Sequence, residues 1–403
     1  MAEALNQTQS TLVPENNQTR WLLQADSDID PVISIVMPTL NEEEGIAECI
    51  SRVQNALDQL QIHGEVIISD SSTDQTPEIA REMGAIVVEP DGKGYGYAYR
   101  YAFQRVRGEY VVMGDADTTY DFEQIPALLE PVRDGSADIC MGSRLNGEIR
   151  EGSMPPLHQY VGNPLLTKFL NTFYDAGVSD AHSGFRVFSR TALEELDLNT
   201  TGMEFASEMI MDAGAKELDI EEIPIVYHER EGEETLESFS DGWRHVRFML
   251  VNAPGYLFSI PGVLLGIAGL LTMSIALSGV SLFSVGLGPH SMVAGSLAVL
   301  VGFQALNMGV FASVTSDPIQ QPSDRFTSWL TANLRLERGV MAGIAMFAAG
   351  SGYAGYLIFQ WAASGFTRLP LFLGDIVALT AIVLGLQVMF SSFFMSTLIS
   401  QSN

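Results

Sequence analysis

The chain has 403 residues, with 49 Asp and Glu against 21 Lys and Arg, and a formal net charge of −28 at pH 7. This charge argues against nucleic acid as a partner, because phosphate binding requires a basic face. Residues 1–249 contain 45 of the 49 acids, whereas the few charges of residues 250–403 cancel. So large an acid excess, with only three lysines, predicts a halophilic protein that stays soluble at high salt, where self-repulsion is screened.

The first 30 residues are polar and rich in Gln, Asn, Thr and Asp, so we expect residues 1–30 to be disordered. They lack the apolar segment of a secretory signal peptide. We therefore expect the domain that follows to remain in the cytoplasm.

A soluble domain is predicted over residues 31–235, and residues 32–141 alternate between strand-like and helix-like patterns. Apolar runs predict strands at 32–37, 65–69, 85–88, 109–113 and 138–141. Amphipathic segments predict helices at 43–60, 76–83 and 97–105. Alternation of this kind implies an α/β domain with a mostly parallel sheet and helices on both faces. Cys49 and Cys140 lie in apolar contexts and are predicted to be reduced core residues.

Residues suited to ligand binding follow the predicted strands. In chain order, the five strand ends carry Pro38-Thr39-Leu40-Asn41-Glu42, Asp70, Gly92-Lys93-Gly94, Asp115-Ala116-Asp117 and Gly142-Ser143-Arg144. The carboxyl ends of parallel strands meet at one edge of a sheet, where α/β proteins bind their ligands. Asp115 and Asp117 repel each other unless a cation lies beside them. A divalent metal that holds a diphosphate would meet this need.

The placement of glycine excludes two other nucleotide-binding classes. A dinucleotide-binding domain needs a glycine-rich turn directly after its first strand, and here the first glycine after that strand is Gly45. The spacing Gly-x-Gly-x-Gly occurs only after the third strand, and no phosphate-binding P-loop motif is present.

The order Pro-Thr-Leu-Asn-Glu, Ser-Thr-Asp, Gly-Lys-Gly, Asp-Ala-Asp and Gly-Ser-Arg resembles family 2 glycosyltransferases of the GT-A fold. Within that family, residues 34–258 resemble the dolichyl- or polyprenyl-phosphate hexose synthases. Further matching blocks lie at residues 154–158, 162–164, 179–186, 203–205 and 241–245. The resemblance implies an α/β GT-A domain, Rossmann-like, followed by four transmembrane helices as in some archaeal and bacterial members.

The resemblance also implies a donor site. The nucleotide of the donor would contact Pro38, Leu40, Glu42 and Asp70, with the Asp70 carboxylate exposed at its strand end. Lys93 would lie near the diphosphate, or would be an ordinary solvated lysine of a glycine loop. The identity of the nucleotide base stays open, because Ser69-Asp70-Ser71-Ser72 departs from the family pattern. Asp74, close by, is either a ligand or a helix cap.

Asp115 and Asp117 would hold Mg²⁺ or Mn²⁺, which neutralises charge on the departing nucleoside diphosphate. Some relatives carry Gln two residues after the second Asp, where this chain has Thr119. A water molecule is therefore an alternative third ligand.

An acceptor that is a lipid monophosphate is already anionic near pH 7, so it needs positioning and no general base. Guanidinium groups position phosphates with paired hydrogen bonds. The candidates are Arg144, then Arg186 and Arg150, and Arg186 could pair with Asp180 instead. Where related synthases often carry a Lys, this chain has Thr235; Arg230, nearby in the sequence, could replace that contact.

The remainder of the chain is predicted to associate with a lipid bilayer. Residues 236–255 mix bases with an aromatic and predict a helix on an anionic membrane surface or a plain linker helix. Apolar stretches predict spans near 256–280, 289–314, 340–363 and 372–398. Arginines precede the first span and cluster between the second and third. This distribution predicts a multi-pass cell-membrane protein whose catalytic domain and termini are cytoplasmic.

We therefore expect a metal-dependent inverting transfer of glucose or mannose from a UDP- or GDP-hexose to dolichyl or polyprenyl phosphate. One alternative is a family 2 enzyme that makes a glycolipid or polysaccharide on a hydroxyl acceptor, although its usual Gln-x-x-Arg-Trp motif is missing. Another alternative is a non-catalytic membrane protein that binds nucleotide sugars. A transporter of this class should carry paired charges within its spans. Here Asp375 is the only charged residue near a predicted span, and it lies at the end of that span. Whether the protein forms a homo-oligomer stays open.

Overall fold

The computed structural model describes residues 20–174, 176–231, 238–282, 285–315, 329, 336–367 and 372–402. The chain divides into two compact units, with the boundary between Val246 and Arg247. The first unit contains a seven-stranded sheet with helices. The second contains long apolar helices.

Strands and helices alternate through the first unit. The strands are β1 (Ile33–Thr39), β2 (Gly64–Asp70), β3 (Ile86–Val88), β4 (Tyr110–Met113), β5 (Ile139–Ile149), β6 (Arg186–Ser189) and β7 (Ile220–Tyr227). The helices are α1 (Ile46–Leu60), α2 (Thr76–Glu82), α3 (Tyr95–Phe103), α4 (Ile125–Asp134), α5 (Asn163–Tyr174), α6 (Arg190–Glu195) and α7 (Phe205–Ala215). A 3₁₀ turn at Phe122–Gln124 precedes α4, and a π turn at His158–Gly162 precedes α5.

The sheet has the strand order β3-β2-β1-β4-β6-β5-β7. Strand β6 is antiparallel to β4 and β5, whereas the other neighbouring pairs are parallel. The prediction of a mostly parallel α/β sheet is therefore confirmed. Strands β6 and β7 were not predicted, because the predicted strands and helices of this domain end at residue 141.

The core of this unit lies between the sheet and its covering helices. Ile35 of β1 packs in one cluster with Ile50 and Val53 of α1, whose spacing places them on one helix face. Burying an aliphatic side chain stabilises the fold by about 1.5–3 kcal/mol. Cys49 and Cys140 are buried and free, which confirms the prediction that they are core residues.

Residues 20–30 correct the prediction of a disordered segment over residues 1–30. Leu22 forms a bridge with Gly64 at the start of β2 and is only 7% exposed. Trp21 donates an indole hydrogen bond to Asp58 on α1. These apolar side chains dock on the domain, so the prediction is wrong for residues 20–30. Residues 1–19 lie outside the described part of the chain.

The second unit begins within α8 (Ser238–Val251), and a π turn at Gly255–Ser259 leads into the next helix. The elements that follow are α9 (Ile260–Ser278), the hairpin β8 (Ser281–Leu282) and β9 (Val285–Gly286), α10 (Pro289–Thr315), α11 (Leu336–Ala363) and α12 (Phe372–Ser402). Four segments are long and apolar enough to cross a membrane, namely Gly255–Ser278, Pro289–Val314, Leu336–Ala363 and Leu373–Leu398. The four predicted spans are confirmed as membrane-length helices.

Close glycine contacts join the long helices in pairs. A Cβ added at Gly269 of α9 would lie 2.6 Å from the carbonyl oxygen of Gly295 on α10. A Cβ at Gly343 of α11 would lie 2.7 Å from the carbonyl oxygen of Gly385 on α12. Such close backbone approach stabilises helix pairs in lipid, where burial of apolar surface gives no net driving force.

Helix α8 covers most of the predicted surface helix at 236–255, and Trp243 and Arg247 are exposed along it. Its contact with a membrane stays a prediction. So does the orientation of the spans, because Arg325 and Arg335 lie outside the described residues.

Candidate active site

The predicted strand ends meet at one edge of the sheet. Strands β1 to β5 all run in the same direction, so the segments that follow them emerge on the same side. Contacts between these segments hold the edge together: the Asn41 amide donates to the Ser72 hydroxyl at 2.8 Å, and the Thr39 hydroxyl donates to the Asp70 carboxylate at 2.7 Å. The carboxyl edge of the sheet therefore forms one continuous polar surface.

Asp115 and Asp117 follow the central strand β4. Tyr95, the first residue of α3, donates its hydroxyl to Oδ1 of Asp115 at 2.8 Å. Burial and the charge of Asp117 raise the pKa of Asp115 to about 6. The second carboxylate makes ionisation of this carboxyl less favourable, and a cation beside the pair would offset that cost.

The turn through Asp117 is strained. Thr118 has φ of 65°, a left-handed conformation that β-branched residues rarely adopt. Its hydroxyl is buried and has no hydrogen-bond partner among the described residues. The Thr119 hydroxyl donates to Oδ1 of Asp117 at 2.6 Å, so it fixes the orientation of the aspartate. Strain of this kind is concentrated at functional sites.

Arg230 joins the donor side to the acidic pair, and the sequence analysis named it only as a substitute. Its Nη2 donates to Glu42 at 2.6 Å and its Nη1 donates to Asp117 at 3.2 Å. Burial raises the pKa of Glu42 to about 7, although Arg230 opposes this shift. Arg230 thus supplies positive charge between the carboxyl groups of Glu42 and Asp117. Thr235 lies outside the described residues.

The remaining donor candidates lie on the same edge with different exposure. Leu40 is 53% exposed and Pro38 is partly buried, so both can contact a base or ribose. Asp70 is only 5% exposed, so the expectation of an exposed carboxylate was wrong: the neighbouring Thr39 covers it. Lys93 is exposed in the loop before α3. Asp74 accepts hydrogen bonds from the amide and hydroxyl of Thr76, the first residue of α2.

Arg144 is held in a defined orientation on β5. Its Nε and Nη2 each donate to Asp180 at 2.8 Å, and its guanidinium lies 5.3 Å from the ring centre of Tyr227. The amides of Ser179 and Asp180 in turn donate to Glu222 on β7. The positive charge of Arg144 lowers the pKa of Asp115 against the effect of burial, which places the two groups in one electrostatic site.

The other two arginine candidates are placed differently. Arg186 is fully buried and donates to the carbonyl oxygens of Ser183, Ala181 and Ala206. Asp180, with which Arg186 could have paired, binds Arg144 instead. We therefore regard Arg186 as a structural residue, because no surface of it is available to an acceptor. Arg150 is exposed and paired with Glu148 at 2.8 Å, and its role stays a prediction.

A buried histidine pair lies behind the Asp180 loop. The Ser207 hydroxyl lies 3.1 Å from Nε2 of His182 and 3.0 Å from Nδ1 of His245, in the middle of α8. Burial lowers the pKa of His182 to about 3, and the neighbouring His245 adds to this shift. His182 is therefore neutral near pH 7.

The residues at the acidic pair fit a hard divalent cation. Among the described residues no three His, Cys, Asp or Glu side chains converge as a metal site, so protein ligands would be limited to Asp115 and Asp117. Mg²⁺ commonly binds in this way, through one or two carboxylates with water and substrate phosphates as the other ligands. The donor diphosphate would thus complete the site.

The sheet with its acidic edge, followed by membrane-length helices, defines a glycosyltransferase of the GT-A type with a membrane region. The pattern described as glycosyl transferase family 2 matches residues 34–197, and that described as glycosyltransferase family 2 C-terminal transmembrane region matches residues 310–399. The chain belongs to glycosyl transferase family 2, and it is an enzyme.

Curated relatives agree with this assignment. The chain is 62% identical to the low-salt glycan biosynthesis hexosyltransferase Agl6 of Haloferax volcanii, over 94% of this chain and 91% of the relative. It is 33% identical to a dolichyl-phosphate hexose transferase of the same organism, over 52% of this chain and 89% of the relative. It is 28% identical to the dolichol-phosphate mannosyltransferase of Pyrococcus furiosus, over 48% of this chain and 56% of the relative.

Proposed function

We propose that this enzyme transfers a hexose from a nucleoside-diphosphate sugar to dolichyl or polyprenyl phosphate, with inversion and with a divalent metal, at the cytoplasmic face of the membrane. The observation that supports this best is Arg144, an oriented guanidinium in the same electrostatic site as Asp115. The names of the relatives support the hexose and the lipid phosphate. The membrane-length helices support a lipid as the acceptor.

The donor would bind along the edge formed by β1, β2 and β4. Leu40 offers an exposed apolar contact for the base, and Glu42 offers a carboxylate for base or ribose hydroxyls. The diphosphate would lie at Asp117, where Arg230 is already within 3.2 Å of the carboxylate. Arg230 can form charge-assisted hydrogen bonds with phosphate oxygens. In the described structure the same N–H groups bind the carboxylates of Glu42 and Asp117.

Asp115 and Asp117 would hold the metal ion. When bound, Mg²⁺ or Mn²⁺ stabilises the charge that develops on the departing nucleoside diphosphate. Tyr95 and Thr119 fix one oxygen of each carboxylate, so these side chains position the ligands.

The transfer would be a single displacement. An oxygen of the lipid phosphate forms a bond to the anomeric carbon while the bond from that carbon to the diphosphate oxygen breaks, and the electron pair leaves with the nucleoside diphosphate. Attack from the face opposite the leaving group inverts the anomeric centre. The phosphate is already an anion, so Arg144 contributes by positioning it, and no proton has to be removed.

The test is a donor screen on the full-length protein in vesicles that contain dolichyl phosphate. UDP- and GDP-linked glucose and mannose are supplied with Mg²⁺ or Mn²⁺, and the lipid product is identified by mass spectrometry. We expect one hexose in phosphodiester linkage to the lipid. The absence of lipid-linked sugar with every donor would overturn the assignment of the acceptor.

Asp117→Asn tests the metal site in the same assay. We expect a loss of at least about a hundredfold, as is typical when a group that stabilises transition-state charge is removed. Glu130→Gln, an exposed acid on α4, is the control and should keep full activity. If Asp117→Asn were fully active at saturating metal, the metal assignment would be wrong.

A further inference from the structure

A segment that connects α6 to α7, residues 199–202, lies against the glycine loop that precedes α3. We call it the supporting segment. A Cβ added at Gly94 would overlap the carbonyl oxygen of Thr201. A Cβ added at Gly96 would lie 2.8 Å from the carbonyl oxygen of Thr200. Glycine permits backbones to approach this closely, so contact with the supporting segment explains why both positions hold glycine.

Hydrogen bonds tie the start of α3 to the same segment. The Tyr97 amide donates to the carbonyl oxygen of Thr201 at 3.2 Å. About one turn further along α3, Nη1 of Arg100 donates to the carbonyl oxygen of Asn199 at 2.6 Å. Amides in the first turn of a helix have no partner within the helix, and the supporting segment satisfies one of them. The position of this segment therefore sets the position of the glycine loop and of the first turn of α3.

The supporting segment is held in turn by Glu208, a buried acid on α7 that has no part in the proposed reaction steps. Glu208 is 2% exposed. Its carboxylate accepts hydrogen bonds from the amide of Asn199 at 2.8 Å, from the amide of Thr200 at 2.9 Å and from the Thr200 hydroxyl. Burying a carboxylate is costly unless donors surround it, and hydrogen bonds to a charged acceptor are the stronger ones. Glu208 therefore fixes the backbone at two adjacent residues.

The glycine loop carries two side chains of the proposed donor site. Lys93 is exposed next to Gly94, and Tyr95 donates its hydroxyl to Asp115 at 2.8 Å. Both side chains come directly before Tyr97, whose amide the supporting segment binds. A shift of the supporting segment would therefore move a cation that faces the donor side, together with the hydroxyl that orients Asp115.

We propose that Glu208 is a positioning residue for the nucleoside-diphosphate donor. It acts through the supporting segment, which holds the glycine loop so that Lys93 meets the diphosphate and Tyr95 orients Asp115. The identity of the donor rests on the proposed function, whereas the mechanical link from Glu208 to the glycine loop does not.

Hydrogen exchange tests the mechanical link without any need for activity. Glu208→Gln keeps the size of the side chain but replaces one acceptor oxygen by an NH₂ group, which cannot accept a hydrogen bond. One of the two amides of the supporting segment is then left without its acceptor. We expect the Tyr97 amide of the full-length protein in vesicles to exchange about tenfold faster, read by mass spectrometry of peptides from α3. A wild-type exchange rate would overturn the proposal.

Asp212→Asn is the matched control, since Asp212 is a second buried acid on α7, one turn further along the helix. It is 1% exposed and accepts from the amide of Asp197 at 2.7 Å, outside the supporting segment. We expect this variant to leave the exchange of the Tyr97 amide unchanged. Equal acceleration in both variants would overturn the proposal, because it would indicate general loosening of α7.

The affinity for the donor tests the positioning role. Kd for UDP and for GDP is measured by calorimetry with Mn²⁺, and KM for each transfer substrate follows from the assay above. Glu208→Gln should raise Kd for the bound nucleotide and KM for the nucleotide sugar by about tenfold, as expected when a hydrogen bond to a charged group is lost. KM for dolichyl phosphate should stay unchanged. Thr200→Val, which removes one donor and keeps the carboxylate, should act in the same direction and serves if Glu208→Gln does not fold.

Two outcomes would overturn the positioning role. One is faster exchange of the Tyr97 amide with an unchanged Kd for the nucleotide. The other is an equal rise of KM for both substrates, which indicates general distortion. If the wild type binds a nucleoside diphosphate but transfers no hexose to dolichyl phosphate, the proposed function fails, and the comparison of Kd values still decides the role of Glu208.

Discussion

Arg144→Lys separates the positioning of the acceptor from all other roles of this side chain. The substitution keeps the positive charge next to Asp180 and removes the planar arrangement of donors. Arginine has five N–H groups, and Asp180 takes one from Nε and one from Nη2. Three N–H groups are therefore not engaged by Asp180, and a phosphate would have to contact them where the side chain is exposed, which is 9% of its surface. Lysine has three N–H groups, all on one nitrogen. It cannot donate to both Asp180 oxygens and bind a phosphate at the same time.

The size of the effect follows from the number of lost contacts. A hydrogen bond to a charged group contributes about 1.5–3 kcal/mol. If Arg144→Lys removes one such bond from the transition state, kcat/KM for dolichyl phosphate should fall about tenfold to a hundredfold. The donor side depends on Glu42, Asp117 and Arg230, which are held by other contacts, so KM for the nucleotide sugar should stay unchanged.

The assay is steady-state transfer with each substrate varied in turn, together with the thermal unfolding midpoint. Arg133→Lys, an exposed arginine on α4, is the control and should match the wild type in every parameter. A wild-type value of kcat/KM for dolichyl phosphate in Arg144→Lys would contradict the role of Arg144 in positioning the acceptor. An equal loss on both substrates would also refute it, since that pattern indicates general distortion of the site.

Three other predictions concern stability. The pKa of His182 is about 3 in the folded state, against 6.5 for an ordinary histidine. Below about pH 6.5 the unfolded chain therefore binds more protons than the folded protein. The free energy of unfolding then declines by up to about 1.4 kcal/mol per pH unit as pH falls. In His182→Gln the unfolding midpoint should depend less steeply on pH between about 5 and 6.5, and equal slopes would contradict this. Thr118→Gly relieves the left-handed backbone and should raise stability by about 1 kcal/mol while lowering activity; a fall in the unfolding midpoint would show that the turn is not strained. For the unmodified protein, the unfolding midpoint should rise with KCl concentration as repulsion within the acidic domain is screened, and an insensitive midpoint would exclude the predicted salt adaptation.

Sequence patterns sufficed where the signal was local and repeated. The strands β1 to β5 were visible as apolar runs, and their direction followed from the alternation with helices. From that direction alone, the segments ending in Asp70, Asp115 and Arg144 had to reach one edge of the sheet. The four long helices were visible from length and hydropathy.

Contacts between distant parts of the chain could not be predicted in the same way. Arg230 lies 188 residues from Glu42, and no pattern in the sequence links the two side chains. The burial of Asp70 depends on which neighbour faces it, here Thr39 from the adjacent strand. Likewise, motif position did not show that Arg144 binds Asp180 while Arg186 is enclosed by carbonyl groups. These arrangements are set by packing, and nearby sequence does not encode them.

The central claim is that the acceptor is a lipid phosphate and not a lipid alcohol. The most direct measurement supplies the full-length protein in vesicles with dolichyl phosphate or with dolichol of the same chain length, and with the donor found active in the screen. We expect a lipid-linked hexose from dolichyl phosphate alone, because Arg144 would bind an anion and no general base is required for the attack. Transfer to dolichol at a comparable rate would contradict it.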